Sequence, residues 1–349
     1  MVIKIDQVLP VLIHNDAIGD EVRNLRDILK KLGYNSNIYT RVTTEETISY
    51  TYLDKSIERI IIYHYSTWDE TIEYILKLPC KKIFVYHNIT PHYFYNDCNI
   101  NTASALKKAR EKLPELRDKF DFVITKSNYS AQELIENGYK NVYILPYVID
   151  FNRYRIKYSE IPVPKNIKYK ILYVGRVAPH KKVDELIKIF YFYCKNISTD
   201  SFLSIVGDYT DVEPYNKKLR RMISYLKLEN VFFAGNSDLK TVSAYYNWAD
   251  IFVIMSRHEG FCIPIVESMY FGLPVIAYNS SAIPETLGGT GILINNNNYP
   301  EIAEIIKECI DNKELKNKII NKQKERLKDF SYTKTTETFK NYIEKIIKL

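Results

Sequence analysis

Short apolar runs alternate with stretches of helically spaced apolar residues along almost the whole chain, and few folds accept that order. A strand that returns parallel to its predecessor needs a long crossover. A helix supplies it, so the alternation specifies parallel sheets covered by helices. Residues 8–13 read as a first strand, followed by the loop His14-Asn15-Asp16-Ala17-Ile18-Gly19-Asp20. Val22, Leu25, Ile28, Leu29 and Leu32 then recur at helical spacing and stop at Gly33. Further strands fall at 37–39, 59–63, 82–86, 122–125 and 142–145, and a basic amphipathic helix at 102–119. The stretch Ile161-Pro162-Val163-Pro164-Lys165 reads as a link. A second series of strands follows it, at 170–174, 202–206, 231–233, 251–255 and 274–277. The fold expected is α/β, with two doubly wound, Rossmann-like domains at 1–160 and 161–331 facing each other across a cleft. A last helix within 332–349 is placed to cross back to the first domain.

A length of 349 residues gives room for two cores, and 46% hydrophobic with 26% charged residues is ordinary for a globular chain. No apolar run reaches the ~18 residues that span a bilayer. The opening residues Met1-Val2-Ile3-Lys4-Ile5-Asp6 read as the approach to a strand and not as a leader peptide. Cys80, Cys98, Cys194, Cys262 and Cys309 are odd in number and scattered, so neither a zinc site nor a disulfide framework is expected. That usage points to the cytoplasm. Of the net charge of +7, residues 307–349 hold +5, from 12 Lys and Arg against 7 Asp and Glu mixed in sign along helical segments, and nucleic acid is not an expected partner.

The segment with most chemistry is Ser256-Arg257-His258-Glu259-Gly260-Phe261-Cys262-Ile263-Pro264-Ile265-Val266-Glu267. It leaves the carboxyl end of a strand, where ligands bind in open α/β sheets. Gly260 permits a tight turn and Pro264 suits the first turn of a helix over 264–272. Glu259 and Glu267 can flank one ligand, because carboxylates accept hydrogen bonds from sugar hydroxyls and paired acceptors suit vicinal diols. The helix's first NH groups can hold phosphate oxygens. A second strand-to-helix junction, Tyr173-Val174-Gly175-Arg176-Val177-Ala178-Pro179-His180-Lys181-Lys182-Val183-Asp184, carries two cations suited to a diphosphate. Arg176 offers a fork and Lys181 a point charge. A charged surface loop is the plain alternative for either segment alone. Their occurrence in one half of the chain favours a ligand site.

Together these segments resemble glycosyltransferase family 4, most clearly over residues 170–294. The resemblance covers Gly175-Arg176 with Lys181, the E-x7-E element from Glu259 to Glu267, and Ala282-Ile283-Pro284-Glu285-Thr286-Leu287-Gly288-Gly289-Thr290-Gly291. It implies a GT-B fold and transfer with retained anomeric configuration. It implies that Arg176 and Lys181 bind the donor diphosphate, Glu259 the donor sugar and Glu267 the ribose. Backbone at Gly260, Phe261, Cys262 and Ile263 would approach sugar and phosphate. Lys182 stands where many members have glycine. The first half matches a subgroup more loosely, at Asn15 to Asp20, Ile62-Tyr63-His64-Tyr65-Ser66 and Val85-Tyr86-His87-Asn88-Ile89-Thr90-Pro91. Members often have glycine in place of Asn15. Gly19 would let backbone approach donor phosphate or acceptor, and Asp16, Asp20, His64 and His87 are the candidate acceptor contacts. His87 is also a catalytic candidate beside Arg176, Lys181 and Glu259. A histidine that merely caps its strand is the plain alternative.

The expected reaction moves a sugar from a nucleotide-diphosphate sugar to a hydroxyl of a glycan or lipid-linked acceptor, without a metal, a cofactor or a protein nucleophile. Closure about 151–166 would exclude water from the reacting groups. No GxGxxG, P-loop or Asp-x-Asp occurs, and Asp208-Tyr209-Thr210-Asp211 has the wrong spacing for the last. The alternatives are a relative that hydrolyses or epimerises sugar nucleotides, and a non-catalytic subunit that only binds them. Lys107, Lys108, Arg110, Lys112, Arg117 and Lys119 can meet anionic lipid at a membrane surface, or face solvent, since Glu111, Glu115 and Asp118 interrupt them. The sequence sets no oligomeric state.

Overall fold

The computed structural model describes residues 3–14, 16–164, 166–210 and 212–349, so Asn15, Lys165 and Asp211, named above, lie outside the described residues with Met1 and Val2. The chain forms two units. The first comprises 1–93, 100–150 and 330–349, and the second 94–99 and 151–329. The second unit therefore begins at Phe151, not at 161, and also takes the short segment from Phe94 to Asn99.

The first unit is built on β1 (Lys4–Val11), β2 (Ile38–Val42), β3 (Ile48–Ser49), β4 (Arg59–Tyr65), β5 (Lys81–Tyr86), β6 (Phe122–Thr125) and β7 (Val142–Ile144). They form one sheet in the order β3-β2-β1-β4-β5-β6-β7, and every pair is parallel. All seven residues of β4 are buried, as a strand covered on both faces must be. The helix Ala17–Lys31 buries Val22, Leu25, Ile28 and Leu29, four of the five apolar positions whose spacing predicts it. The helix Ile100–Leu116 ends earlier than the expected 119. The last helix, Tyr332–Lys348, belongs to this unit: Phe339, Ile343 and Ile346 are buried in one cluster with Ile83, Val85 and Phe122. Lys81 Nζ donates to the carbonyls of Ile346 and Ile347 at 3.2 and 3.1 Å, placing a cation at the negative end of that helix.

The second unit holds β8 (Tyr169–Val174), β9 (Ser201–Val206), β10 (Val231–Gly235), β11 (Ile251–Ile254), β12 (Val275–Tyr278) and β13 (Ile292–Ile294), in the order β10-β9-β8-β11-β12-β13 and again parallel. β3 and β13 are the two strands absent from the sequence reading. They have two and three residues and lie at sheet edges.

Candidate functional site

Each sheet reverses its strand order beside its first strand, between β1 and β4 in the first unit and between β8 and β11 in the second. The connections from two such strands run to opposite sides, and the gap beyond their carboxyl ends is where open parallel sheets bind ligands. Both segments singled out in the second half of the sequence leave that position, one from β8 and one from β11.

After β8 the chain passes through Gly175, at φ +147°, beside Gly207, at φ +139°. A Cβ on Gly207 would lie 2.1 Å from the Gly175 carbonyl oxygen, so glycine lets the ends of β8 and β9 pass close together. The NH of Val177 then donates to the Asp208 carbonyl at 2.7 Å. These contacts fix Arg176 at the strand end. Its Nη2 donates to the Tyr95 hydroxyl at 2.8 Å, while Tyr173 Oη donates to its carbonyl at 3.1 Å. One turn, Pro179–Lys181, follows it and ends at Lys181. Lys182 closes that turn at φ +52° in the left-handed region, a conformation that glycine adopts without the cost a side chain brings.

Lys181 Nζ donates to both carboxylate oxygens of Glu259 at 2.7 Å. The loop carrying Glu259 is held from outside: the Glu259 NH donates to Ser281 Oγ at 2.8 Å, and Thr286 Oγ1 donates to the Phe261 carbonyl at 2.5 Å. Gly260 lies between them, and Cys262, at φ +77°, turns the chain into the helix Ile263–Tyr270 with Pro264 in its first turn. Glu267 projects from this helix. Its carboxylate accepts from Tyr154 at 2.5 Å and from Tyr246 at 2.8 Å.

Electrostatics locate the four charged residues together. Burial pushes the Cys262 thiol well up; Glu259 adds to this, Lys181 opposes it and Glu267 adds again. Burial likewise raises the Tyr173 phenol, with Glu259 adding and Arg176 opposing. Arg176, Lys181, Glu259 and Glu267 thus act on two adjoining buried side chains, although they come from two loops and a helix. Arg257 sits behind them. It pairs with Glu185 at 2.5 Å and Asn297 at 2.7 Å and lies 3.2 Å from the Tyr278 ring centroid, tying three neighbouring segments together.

In the first unit, Asp16 caps the helix Ala17–Lys31, and its Oδ2 accepts from the NH groups of Ile18 and Gly19 at 3.1 and 3.2 Å. A Cβ on Gly19 would lie 2.2 Å from the Ile13 carbonyl oxygen, so this glycine answers to a close backbone approach inside the unit. Asp20 lies 3.7 Å from Arg23. His64, on β4, and His87, just after β5, are joined: His64 Nδ1 is 2.9 Å from His87 Nε2. Their outer nitrogens meet Gln7 Oε1 at 3.0 Å and the Tyr147 hydroxyl at 3.0 Å. All four ring nitrogens are therefore engaged. Beside them lies a fully buried ion pair, Lys126 with Glu21, whose second oxygen accepts from the Val148 NH at 3.0 Å.

Sequence reasoning passed over Gln7, Glu21, Tyr95, Lys126, Tyr147, Tyr154, Tyr246 and Arg257. Only Glu21 left a signal. It lies four before Leu25 and seven before Ile28, on the apolar stripe of its helix, where an acid is out of place. The tyrosines left none among the 30 of the chain.

Residues 155–326 match the family model described as Glycosyl transferases group 1. Among curated proteins, a 41.2 kDa protein in the cps region of Klebsiella pneumoniae is 32% identical over 152 residues, 43% of this chain and 39% of that protein. A glycosyltransferase of Haemophilus influenzae is 29% identical over 191 residues, 52% of each chain. The chain thus spans about half, or less, of the length of these relatives. Among solved structures, HepE of Anabaena in complex with UDP and glucose superposes with a TM-score of 0.78 at 19% identity, over 98% of this chain and 100% of that one. The fold is that of GT-B glycosyltransferases: two parallel-sheet, Rossmann-like domains with helices.

Proposed function

We propose that this protein is a retaining glycosyltransferase that takes a nucleotide-diphosphate sugar on its second unit and passes the sugar to a hydroxyl acceptor. The observation that carries the reading is the gathering of Arg176, Lys181, Glu259 and Glu267 beyond β8 and β11. Breaking the glycosidic bond leaves positive charge on the sugar and negative charge on the diphosphate. Arg176 and Lys181 would neutralise the latter in a partly buried setting, where such contacts act strongly. Lys181 is paired with Glu259, so each charge compensates the other. The diphosphate would draw Lys181 away and release Glu259 to accept from sugar hydroxyls. Glu267, oriented by Tyr154 and Tyr246, keeps lone pairs for the two ribose hydroxyls.

The same reading assigns the acceptor, a glycan or a lipid-linked sugar, to the first unit near the carboxyl ends of β1, β4 and β5. The similarity to HepE solved with UDP and glucose supports a uridine donor. Metal independence belongs to the proposal, since two side-chain cations stand where the diphosphate would be held. So does a cytoplasmic setting with contact at a membrane surface through the helix Ile100–Leu116. Among the described residues, no helix is long and apolar enough to cross a membrane. The decisive experiment replaces Arg176 or Glu267 by Ala and measures transfer from a panel of nucleotide sugars, with anomeric analysis of the product. Transfer should fall by about 10²–10³ in each variant. Undiminished transfer in either would remove this site, and release of free sugar without an acceptor would favour hydrolysis.

A further inference from the structure

Inside the first unit, Val22, Gln7, His64, His87 and Tyr147 lie on one line of hydrogen bonds, and a single arrangement of protons satisfies it. Gln7 Nε2 donates to the Val22 carbonyl at 2.8 Å. Turned the other way, the amide would set two oxygens against each other, so its Oε1 is the atom that faces His64. That oxygen only accepts, which puts the hydrogen on His64 Nε2, 3.0 Å away. A neutral imidazole carries one NH, so His64 Nδ1 is a lone pair and His87 Nε2 must donate to it across 2.9 Å. His87 Nδ1 is then an acceptor, and it receives the Tyr147 hydroxyl at 3.0 Å.

Both rings stay neutral in this setting. His64 and His87 are 2% and 7% exposed. Burial lowers both, to about 3 for His64, and the buried Lys126 cation lowers both further. Lys126 is itself paired with the Glu21 carboxylate, and its Nζ lies 5.0 Å from the Tyr147 ring centroid. The line ends at an amide, which does not pass a proton on, so it fixes tautomers and conducts nothing.

We propose that Gln7 and His64 are positioning residues that hold His87 as its Nε2–H tautomer, so that His87 meets a substrate only as an acceptor at Nδ1. The fitting partner is a hydroxyl of a sugar, taking the place that the Tyr147 hydroxyl fills. A phosphate or carbonyl oxygen has no proton to give and is excluded. The word substrate rests on the glycosyltransferase reading; the tautomer does not.

The test is long-range proton–nitrogen correlation on the full chain labelled with 15N-histidine, from pH 5 to 8, beside transfer kinetics. Both rings should show a protonated Nε2 and a bare Nδ1, unchanged across that range. In His64→Leu, His87 should exchange between tautomers, and kcat should fall tenfold or more with little change in the donor KM. In His64→Gln, whose amide restores the same direction of donation, the His87 resonances and kcat should return to within about threefold of the parent. A protonated His87 Nδ1 in the parent protein overturns the proposal, as does an unchanged ring and kcat in His64→Leu. Correct tautomers in a protein that transfers no sugar would sink the functional reading and leave the assignment of Gln7 and His64 standing.

Discussion

At the scale of single residues, backbone geometry and burial make the sharpest expectations. Gly207→Ala would press a methyl group against the Gly175 carbonyl, 2.1 Å from the ideal Cβ, at a φ of +139° that side chains rarely adopt. A loss of about 2–3 kcal/mol is expected, with weaker donor binding because Arg176 follows Gly175. Chemical denaturation and calorimetric titration with a sugar nucleotide check the two parts. Lys182→Gly should act in the other direction. The left-handed backbone costs a side-chain residue about 1–2 kcal/mol, of which glycine's greater freedom in the unfolded chain returns part. A net gain of about 0.5 kcal/mol should appear as a higher denaturation midpoint with unchanged slope. His64 gives a pH dependence of known sign. Its folded value, about 3, is below the ordinary 6.5, so the unfolded chain binds the proton more readily between these limits. Its contribution is whole above pH 6.5 and lost as pH falls toward 3, at up to about 1.4 kcal/mol per pH unit. Urea midpoints measured from pH 7 to 5 should fall more gently in His64→Gln.

At the scale of elements, the buried Lys126–Glu21 pair joins the end of β6 to the helix Ala17–Lys31, and Glu21 also takes the Val148 NH just after β7. Removing one partner leaves a buried charge, so Glu21→Gln or Lys126→Met alone should cost about 3–5 kcal/mol. The double variant removes both charges and keeps an acceptor for Val148, and it should be less destabilised than the worse single one. A double-mutant cycle by urea denaturation reads this coupling. Eleven of the strands were legible as apolar runs, the three-residue β7 among them. β3 was not, because a two-residue edge strand is defined by its neighbour's hydrogen bonds and not by its own residues; β13, an Ile-Leu-Ile run no shorter than β7, was passed over.

At the scale of the whole molecule, the chain returns to its first unit after completing the second. Phe339, Ile343 and Ile346 are each 0–1% exposed there. Burying three such side chains is worth about 1.5–3 kcal/mol apiece, comparable in sum to the stability of a domain. Truncation before Tyr332 should therefore unfold the first unit while the second keeps its cooperative transition, which calorimetry would show as the loss of one of two endotherms. A nucleotide sugar at a hundred times its Kd should raise the stability of the second unit by about 2.7 kcal/mol, and Glu267→Ala should abolish that shift. A thermal shift that survives in Glu267→Ala would place the donor elsewhere.

Periodicity alone set the α/β class, the two series of elements and the junctions where Arg176, Lys181, Glu259 and Glu267 stand, because burial on a repeating backbone leaves its period in the residues. Tertiary structure alone decided what those residues face. Lys181 is 78 positions from Glu259, Tyr154 is 113 from Glu267, and Gln7 is 57 from His64. A hydrogen bond has no period along the chain; it forms where folding brings two polar atoms within about 3 Å, so the pairing of an acid with a lysine, or of a histidine with its tautomer, is written only in the packed molecule.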